Sequence, residues 1–318
     1  MKAVFLDRAS LDRGDLDLSA LQRALPELRC FDRTTTGQLP KRVADAEVLI
    51  LNKVVLDAAL LASAPRLRLI CVVATGTDNV AVAAARSRGI TVCNVRGYGV
   101  SAVAQHALGL MLALSTRLLD YSAAVSRGEW TRSDQFCLLD YPIQELAGRV
   151  LGIVGYGTLG QAVGRLAEAF GMQLLVAERP GAEAPQPGRL ALPVLLPQVD
   201  VLSLHCPLTE HTRHLIGTRE LASMKPSALL INTARGGIVD EQALAEALRQ
   251  GVIAGAGVDV LSTEPPREGN PLLQPGIRNL IVTPHCAWGS REARQRIIEQ
   301  LVENIAGFLS GSPQRLVG

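Results

Sequence analysis

Aromatic residues are scarce in this 318-residue chain, at 3% of positions, so there are few side-chain faces on which nucleobases could stack. Neither sign of charge predominates: 32 Lys and Arg stand against 30 Asp and Glu, a net charge of +2. That balance counts against a surface built to track polyphosphate, and so against nucleic-acid binding. Apolar runs are short of the ~20 residues that a membrane helix needs. Charges at Lys2, Asp7 and Arg8 interrupt any signal-peptide core. A cytoplasmic protein without a membrane partner is expected. The six cysteines, at positions 30, 71, 93, 137, 206 and 286, form no C-x-x-C pair, so neither a zinc knuckle nor a redox pair is signalled and reduced, mostly buried thiols are expected.

What is present is apolar substance: 48% hydrophobic against 19% charged residues, a globular composition long enough for two domains at ~150 residues each. β-rich runs (Ala3 to Leu6, Leu28 to Phe31, Val48 to Leu51, Leu67 to Val73, Ile90 to Asn94) alternate with amphipathic stretches such as Leu16 to Leu25 and Val80 to Arg88. Such alternation predicts βαβ units around a parallel sheet. Val103, Ala107, Leu110, Met111 and Leu114 recur at helical spacing and predict one long helix over Ser101 to Leu119. A connector from Tyr121 to Glu145 follows, with Trp130, Phe136 and Tyr141 as expected packing anchors.

A second alternation starts at Val150 to Val154 and runs to Leu280 to Thr283, predicting a second doubly wound sheet. Within it, Pro180 to Pro193 reads as a surface loop. A last helix is expected over Arg291 to Leu309, packing back on the N-terminal unit, with Arg291, Arg294 and Arg296 on a solvated face.

The strongest local motif is Gly155-Tyr156-Gly157-Thr158-Leu159-Gly160, set between a strand pattern and a helical one. There the glycines let backbone approach a pyrophosphate at a helix N-terminus. Glu178, 23 residues after Gly155 and at the end of the next strand, is placed to bind ribose hydroxyls and repel a 2′-phosphate, which favours NAD over NADP. Arg179 beside it argues the other way. About 150 residues precede the motif, unlike L-lactate and malate dehydrogenases, which begin with their nucleotide fold.

Three charged residues each follow a later strand pattern: Arg235, Glu264 and His285. Positions just past the carboxyl ends of parallel strands line the ligand crevice of an open α/β sheet. Reducing a 2-oxo acid calls for a cation to hold and polarise the substrate, a proton donor near neutral pH and a hydride. Arginine, histidine and a nicotinamide cofactor supply them, and a carboxylate beside the histidine would favour its imidazolium and orient it.

Over nearly its whole length the chain resembles the D-isomer-specific 2-hydroxyacid dehydrogenase family, through Gly155 to Gly160, Val201 to Thr209, Met224 to Glu241 and Thr283 to His285. Ala74 to Val95 and Gln135 to Pro142 are most similar to its glycerate dehydrogenase, or hydroxypyruvate reductase, branch. The resemblance implies two doubly wound parallel-sheet domains: a discontinuous flavodoxin-like substrate domain (1–100 plus 286–318) and a Rossmann NAD-binding domain (101–285). It implies a cleft that closes on substrate, and a homodimer. It places Arg235, Glu264 and His285 on the catalytic trio and the substrate at Asn52, Thr75, Gly76 and Arg235. It places the cofactor at Gly155 to Gly160, Glu178, Cys206, Pro207, Thr233, Ala234, Arg235, Asp259 and His285. Gln105, where Glu is usual, and Thr158 depart from the family pattern. Other branches (glyoxylate or phosphoglycerate type) and an NAD-binding corepressor-like interaction protein are the alternatives.

His205, His211 and His214 lack an acidic ligand cluster and read as solvated or cofactor-adjacent, so no metal is expected. Cys286, next to His285, reads as bystander packing, because neighbours in extended backbone face opposite ways.

Overall fold

The computed structural model describes residues 1–182, 184 and 186–318, which divide into two compact units: Met1–Gly99 with Gly289–Gly318, and Val100–Trp288.

The first unit carries a five-stranded sheet: β1 (Lys2–Phe5), β2 (Glu27–Cys30), β3 (Val48–Leu51), β4 (Leu69–Val72) and β5 (Thr91–Cys93), in the order β2-β1-β3-β4-β5 with every pair parallel. β3 and β4 are buried along their whole length, which is why they read as unbroken apolar runs rather than alternating ones. Helices α1 (Ser19–Ala24), α2 (Leu39–Val43), α3 (Ala58–Ala62) and α4 (Val82–Ser87) connect the strands.

The second unit begins with α5 (Val100–Ser115) and α6 (Leu118–Ser126). The helix expected to run unbroken to Leu119 breaks at Arg117, whose backbone is left-handed at φ 55°, and the two pieces bend by 59°. Arg117 is held there by a 2.6 Å ion pair with Asp120 in the first turn of α6. Among the described residues no single helix is long and apolar enough to cross a membrane.

Seven parallel strands follow: β6 (Val150–Val154), β7 (Gln173–Ala177), β8 (Arg189–Leu190), β9 (Val201–Leu204), β10 (Leu229–Asn232), β11 (Gly255–Val258) and β12 (Leu280–Val282), in the order β12-β11-β10-β9-β6-β7-β8. With them come α7 (Thr158–Ala169), α8 (Leu192–Leu195), α9 (Thr218–Ala222) and α10 (Glu241–Gln250). Side chains alternate across the sheet: Leu151, Ile153, Leu229 and Ile231 pack under α5 and α7, while Val154, Leu202, Leu204 and Leu230 enter a second core with Leu244 and Leu248 of α10. Both faces are therefore covered, as a parallel sheet requires.

The stretch Pro180 to Pro193 is only partly loop: β8 and the start of α8 lie in it, while Glu183 and Pro185 fall outside the described residues. Trp130 and Phe136 are not packing anchors; Phe136 is 90% exposed and Trp130 51%. Tyr141 does pack, edge-on against Tyr121 at 5.1 Å.

α11 (Arg291–Leu309) belongs to the first unit, against α1 and β4. Its arginines are latches rather than a solvated face. Arg294 grips both carboxylate oxygens of Asp15 at 2.8 and 2.7 Å, Arg291 reaches the Asp15 carbonyl and Arg296 the Tyr98 carbonyl.

Candidate active site

The order of the second sheet reverses between β6 and β9, the topological switch point at which open α/β sheets bind ligands beyond their strand ends. Gly155 follows β6 at φ +93°, and a Cβ there would stand 2.6 Å from the Cys206 amide nitrogen of the loop after β9. Only glycine fits so close an approach. A Cβ on Gly157 would meet nothing within 4 Å, and Gly157 caps α7 without any side-chain hydrogen bond. The first amides of this 12-residue helix therefore open toward space without a protein cap, a ready seat for a pyrophosphate.

Two buried oxygens have no partner among the described residues: Glu178 Oε1, just beyond β7, and Thr233 Oγ1, just beyond β10. The other Glu178 oxygen accepts the Gln186 amide at 3.0 Å, which orients the carboxylate. Buried polar atoms without partners are expensive unless a ligand completes them, so glycine loop, helix end and orphaned oxygens together fit a dinucleotide. Cys206 is buried and Pro207 exposed in the loop after β9, and Ala234 is buried in that after β10.

Beyond β10, Asn232 shapes the turn: its side chain accepts from the Ala234 amide and donates to the Arg235 carbonyl. Arg235 emerges exposed from this turn, its guanidinium touching the Ala234 carbonyl at 2.7 Å. Among the described residues it forms no ion pair, which leaves a cation for an anionic ligand. Beyond β11, Glu264 receives the Leu261 amide on Oε1 and faces His285 Nδ1 with Oε2 at 2.6 Å. Against a carboxylate Nδ1 is the donor, so Nε2 is the nitrogen left for proton exchange.

His285 sits at φ +52°, a conformation costly for a residue with a Cβ. Three contacts hold it: its amide donates to the Asp259 carbonyl at 2.7 Å and the Thr283 carbonyl at 3.0 Å, and Trp288 Nε1 donates to its carbonyl at 2.9 Å. The Asp259 carboxylate, 1% exposed, accepts from Thr283 Oγ1 and the amides of Cys286 and Ala287. Asp259 thus frames the histidine turn, a role that its position alone could not reveal.

In the first unit, the Asp7 carboxylate accepts the amides of Asn52, Lys53 and Val54, fixing the loop after β3. The Asn52 side-chain amide donates to Ser10. Thr75 Oγ1 donates to the Val95 carbonyl, and Asn94 donates to the Thr75 carbonyl at 2.8 Å. Among the described residues nothing takes the amides of Thr75 and Gly76, which leaves two donors.

Of the three loop histidines, His205 is tied through Nε2 to Ser203 at 2.9 Å while its buried Nδ1 has no partner among the described residues. His211 and His214 are exposed. All six cysteines are free, but only Cys71, Cys93 and Cys206 are buried, fewer than expected; Cys30 and Cys286 are exposed.

Comparison with known proteins agrees with this geometry. Residues 108–287 match the model of the D-isomer specific 2-hydroxyacid dehydrogenase, NAD binding domain. A glycerate dehydrogenase of Methylorubrum extorquens is 47% identical over 317 residues, 99% of this chain and 98% of that one. A hydroxypyruvate reductase of Blautia hydrogenotrophica is 38% identical, covering 100% and 99%. The solved structure of the TT0316 protein from Thermus thermophilus superposes with a TM-score of 0.87 at 35% identity over 100% of both chains. The chain belongs to the D-isomer-specific 2-hydroxyacid dehydrogenase family, NAD-dependent oxidoreductases that act on the CH–OH group of 2-hydroxy acids.

Proposed function

We propose that this dehydrogenase interconverts hydroxypyruvate and D-glycerate, with Arg235, Glu264 and His285 as its catalytic residues. The observation that carries the mechanism is the 2.6 Å contact between His285 Nδ1 and Glu264 Oε2 beyond the carboxyl ends of β12 and β11. The substrate assignment is supported by 47% identity over almost the full chain to a glycerate dehydrogenase.

When bound at Gly155 to Gly160, NADH would supply the hydride for C2 of the 2-oxo acid. His285, with Nδ1 donating to Glu264, delivers the proton of its imidazolium Nε2 to the C2 oxygen, and in oxidation the neutral Nε2 takes that proton back. Glu264 stabilises the imidazolium and fixes the ring plane. Arg235 holds and polarises the substrate. In this reading the Val100–Trp288 unit binds the cofactor through Gly155 to Gly160, Glu178, Cys206, Pro207, Thr233, Ala234 and Asp259. The Met1–Gly99 and Gly289–Gly318 unit supplies the Thr75 and Gly76 amides for the substrate carboxylate, and Asn52 lies beside them in role. Glu178 selects NAD by repelling a 2′-phosphate.

The enzyme works in the cytoplasm as a homodimer. Support for a dimer comes from Leu118, Leu119, Trp130, Phe136, Leu139 and Ile143, all exposed between residues 118 and 143, a density of apolar surface unusual for a solvated face.

Steady-state NADH oxidation with hydroxypyruvate, glyoxylate and pyruvate tests the substrate. Hydroxypyruvate is expected to give the highest kcat/KM, and turnover of none of the three would overturn the assignment. His285→Ala is expected to lower kcat by about 10²–10⁴-fold; full activity would overturn the mechanism.

A further inference from the structure

Cys286, one residue beyond the proton donor, belongs to a different set of contacts. Its thiol, the Nε2 of His106 on α5 and a carboxylate oxygen of Asp259 all lie within 4.8 Å of one another. His106 Nε2 is 3.7 Å from Asp259 Oδ1 and 3.0 Å from Thr283 Oγ1. In a tetrahedral zinc site with bonds of about 2.0–2.3 Å, neighbouring ligand atoms are about 3.3–3.8 Å apart. The His106–Asp259 edge already has that length. The sulfur reaches it by a movement of about 1 Å, open to an exposed side chain that turns about one bond.

Charge favours a cation here. Asp259 is 1% exposed, and among the described residues no Lys or Arg pairs with it; its ion-pair partner is His106. Thr283 Oγ1 and the amides of Cys286 and Ala287 donate to this carboxylate, which offsets its burial but leaves its negative charge without a fixed cation. The donors are an imidazole nitrogen, a carboxylate oxygen and a thiol sulfur, the mixed set that suits a borderline-soft ion such as Zn²⁺ rather than Mg²⁺ or Ca²⁺. Cys286 is exposed, so an entry path exists.

We propose that His106, Asp259 and Cys286 form a site for a divalent cation of the zinc class, with water as fourth ligand, and that its occupation inhibits the enzyme. Binding releases the thiol proton to solvent in exchange for a metal–thiolate bond. Because Thr283 Oγ1 gives its hydrogen to Asp259, His106 Nε2 donates to Thr283 without the ion; on binding, that proton passes through solvent to Nδ1 and frees the Nε2 lone pair for the metal. The ion then holds Asp259, which frames the His285 turn, and pulls Cys286, which is bonded to His285. Inhibition rests on the role given to His285; binding does not.

Binding is therefore measured without turnover. The full-length protein, stripped with a chelator, is titrated with ZnCl₂ in equilibrium dialysis and with Co²⁺ in absorbance. One equivalent should bind, with a near-ultraviolet thiolate-to-cobalt band. Cys286→Ser should abolish the band, and both Cys286→Ser and His106→Gln should weaken zinc at least tenfold, with circular dichroism unchanged. In NADH-linked assays, zinc should inhibit the unaltered enzyme reversibly by EDTA, while Cys286→Ser should keep its basal rate and escape inhibition. Absence of stoichiometric binding, or undiminished affinity in Cys286→Ser, overturns the site. Stoichiometric binding without inhibition overturns its inhibitory role.

Discussion

His285 and His205 differ in which ring nitrogen is left over. His285 has Nδ1 satisfied by Glu264 and Nε2 left for chemistry. His205 has Nε2 satisfied by Ser203 and Nδ1 buried with no partner among the described residues. Burial lowers the His205 pKa from 6.5 to about 4, so the folded protein keeps this ring neutral where the unfolded chain would protonate it. Between those values the unfolded state binds more protons, and stability falls as pH drops from 6.5 towards 4. The loss amounts to about 3 kcal/mol. Urea unfolding followed across that range should show the decline, and His205→Gln should flatten it; equal slopes in both proteins would refute this account. At this scale the Glu264–His285 contact was legible in the sequence, because both residues stand a few positions past β-rich runs. His106 and Arg294 were not, since their partners are remote: Asp259 lies on another strand end, and Asp15 stands 279 residues from Arg294.

At the scale of elements, strands and their flanking glycines were the most legible features, because a buried parallel strand has to be a short apolar run. The break between α5 and α6 was hidden. Apolar spacing continues across it, and the residue that turns left-handed is Arg117 rather than a glycine or proline. α8 and β8 were missed for a related reason, since four prolines and two glycines between positions 180 and 193, around a two-residue strand, carry no usable period. The turn from β6 to α7 has the least tolerance. Gly155→Ala would place a methyl group 2.6 Å from the Cys206 nitrogen at a φ of +93°, forcing the two loops at the switch point apart. NADH titration by fluorescence should show affinity at least tenfold lower, with a fall in Tm from the positive-φ strain of about 1 kcal/mol or more. Unchanged affinity would mean that the glycine loop does not hold the cofactor.

At the scale of the whole molecule, the exposed apolar residues between 118 and 143 carry the expectation of self-association. Phe136 is 90% and Leu139 77% exposed. Sedimentation velocity should find a dimer, and Phe136→Asp with Leu139→Asp should shift it toward monomer without loss of secondary structure. A monomeric unaltered protein would refute the dimer.

The first unit is not continuous in sequence, and its sheet is finished from afar. The Asn94 amide donates to the Arg315 carbonyl, Val317 to the Val92 carbonyl, and Asn304 reaches the Asn94 carbonyl 210 residues away. As the chain leaves the ribosome, residues 2–93 can lay down five strands but must wait with the β5 edge bare and the α11 side uncovered. The 100–288 unit, a single unbroken stretch, is synthesised meanwhile and needs nothing later to close its sheet. The 100–288 unit can therefore close before its elder neighbour is sealed, and a chain truncated after residue 290 should be protease-resistant in the later unit and sensitive in the earlier one.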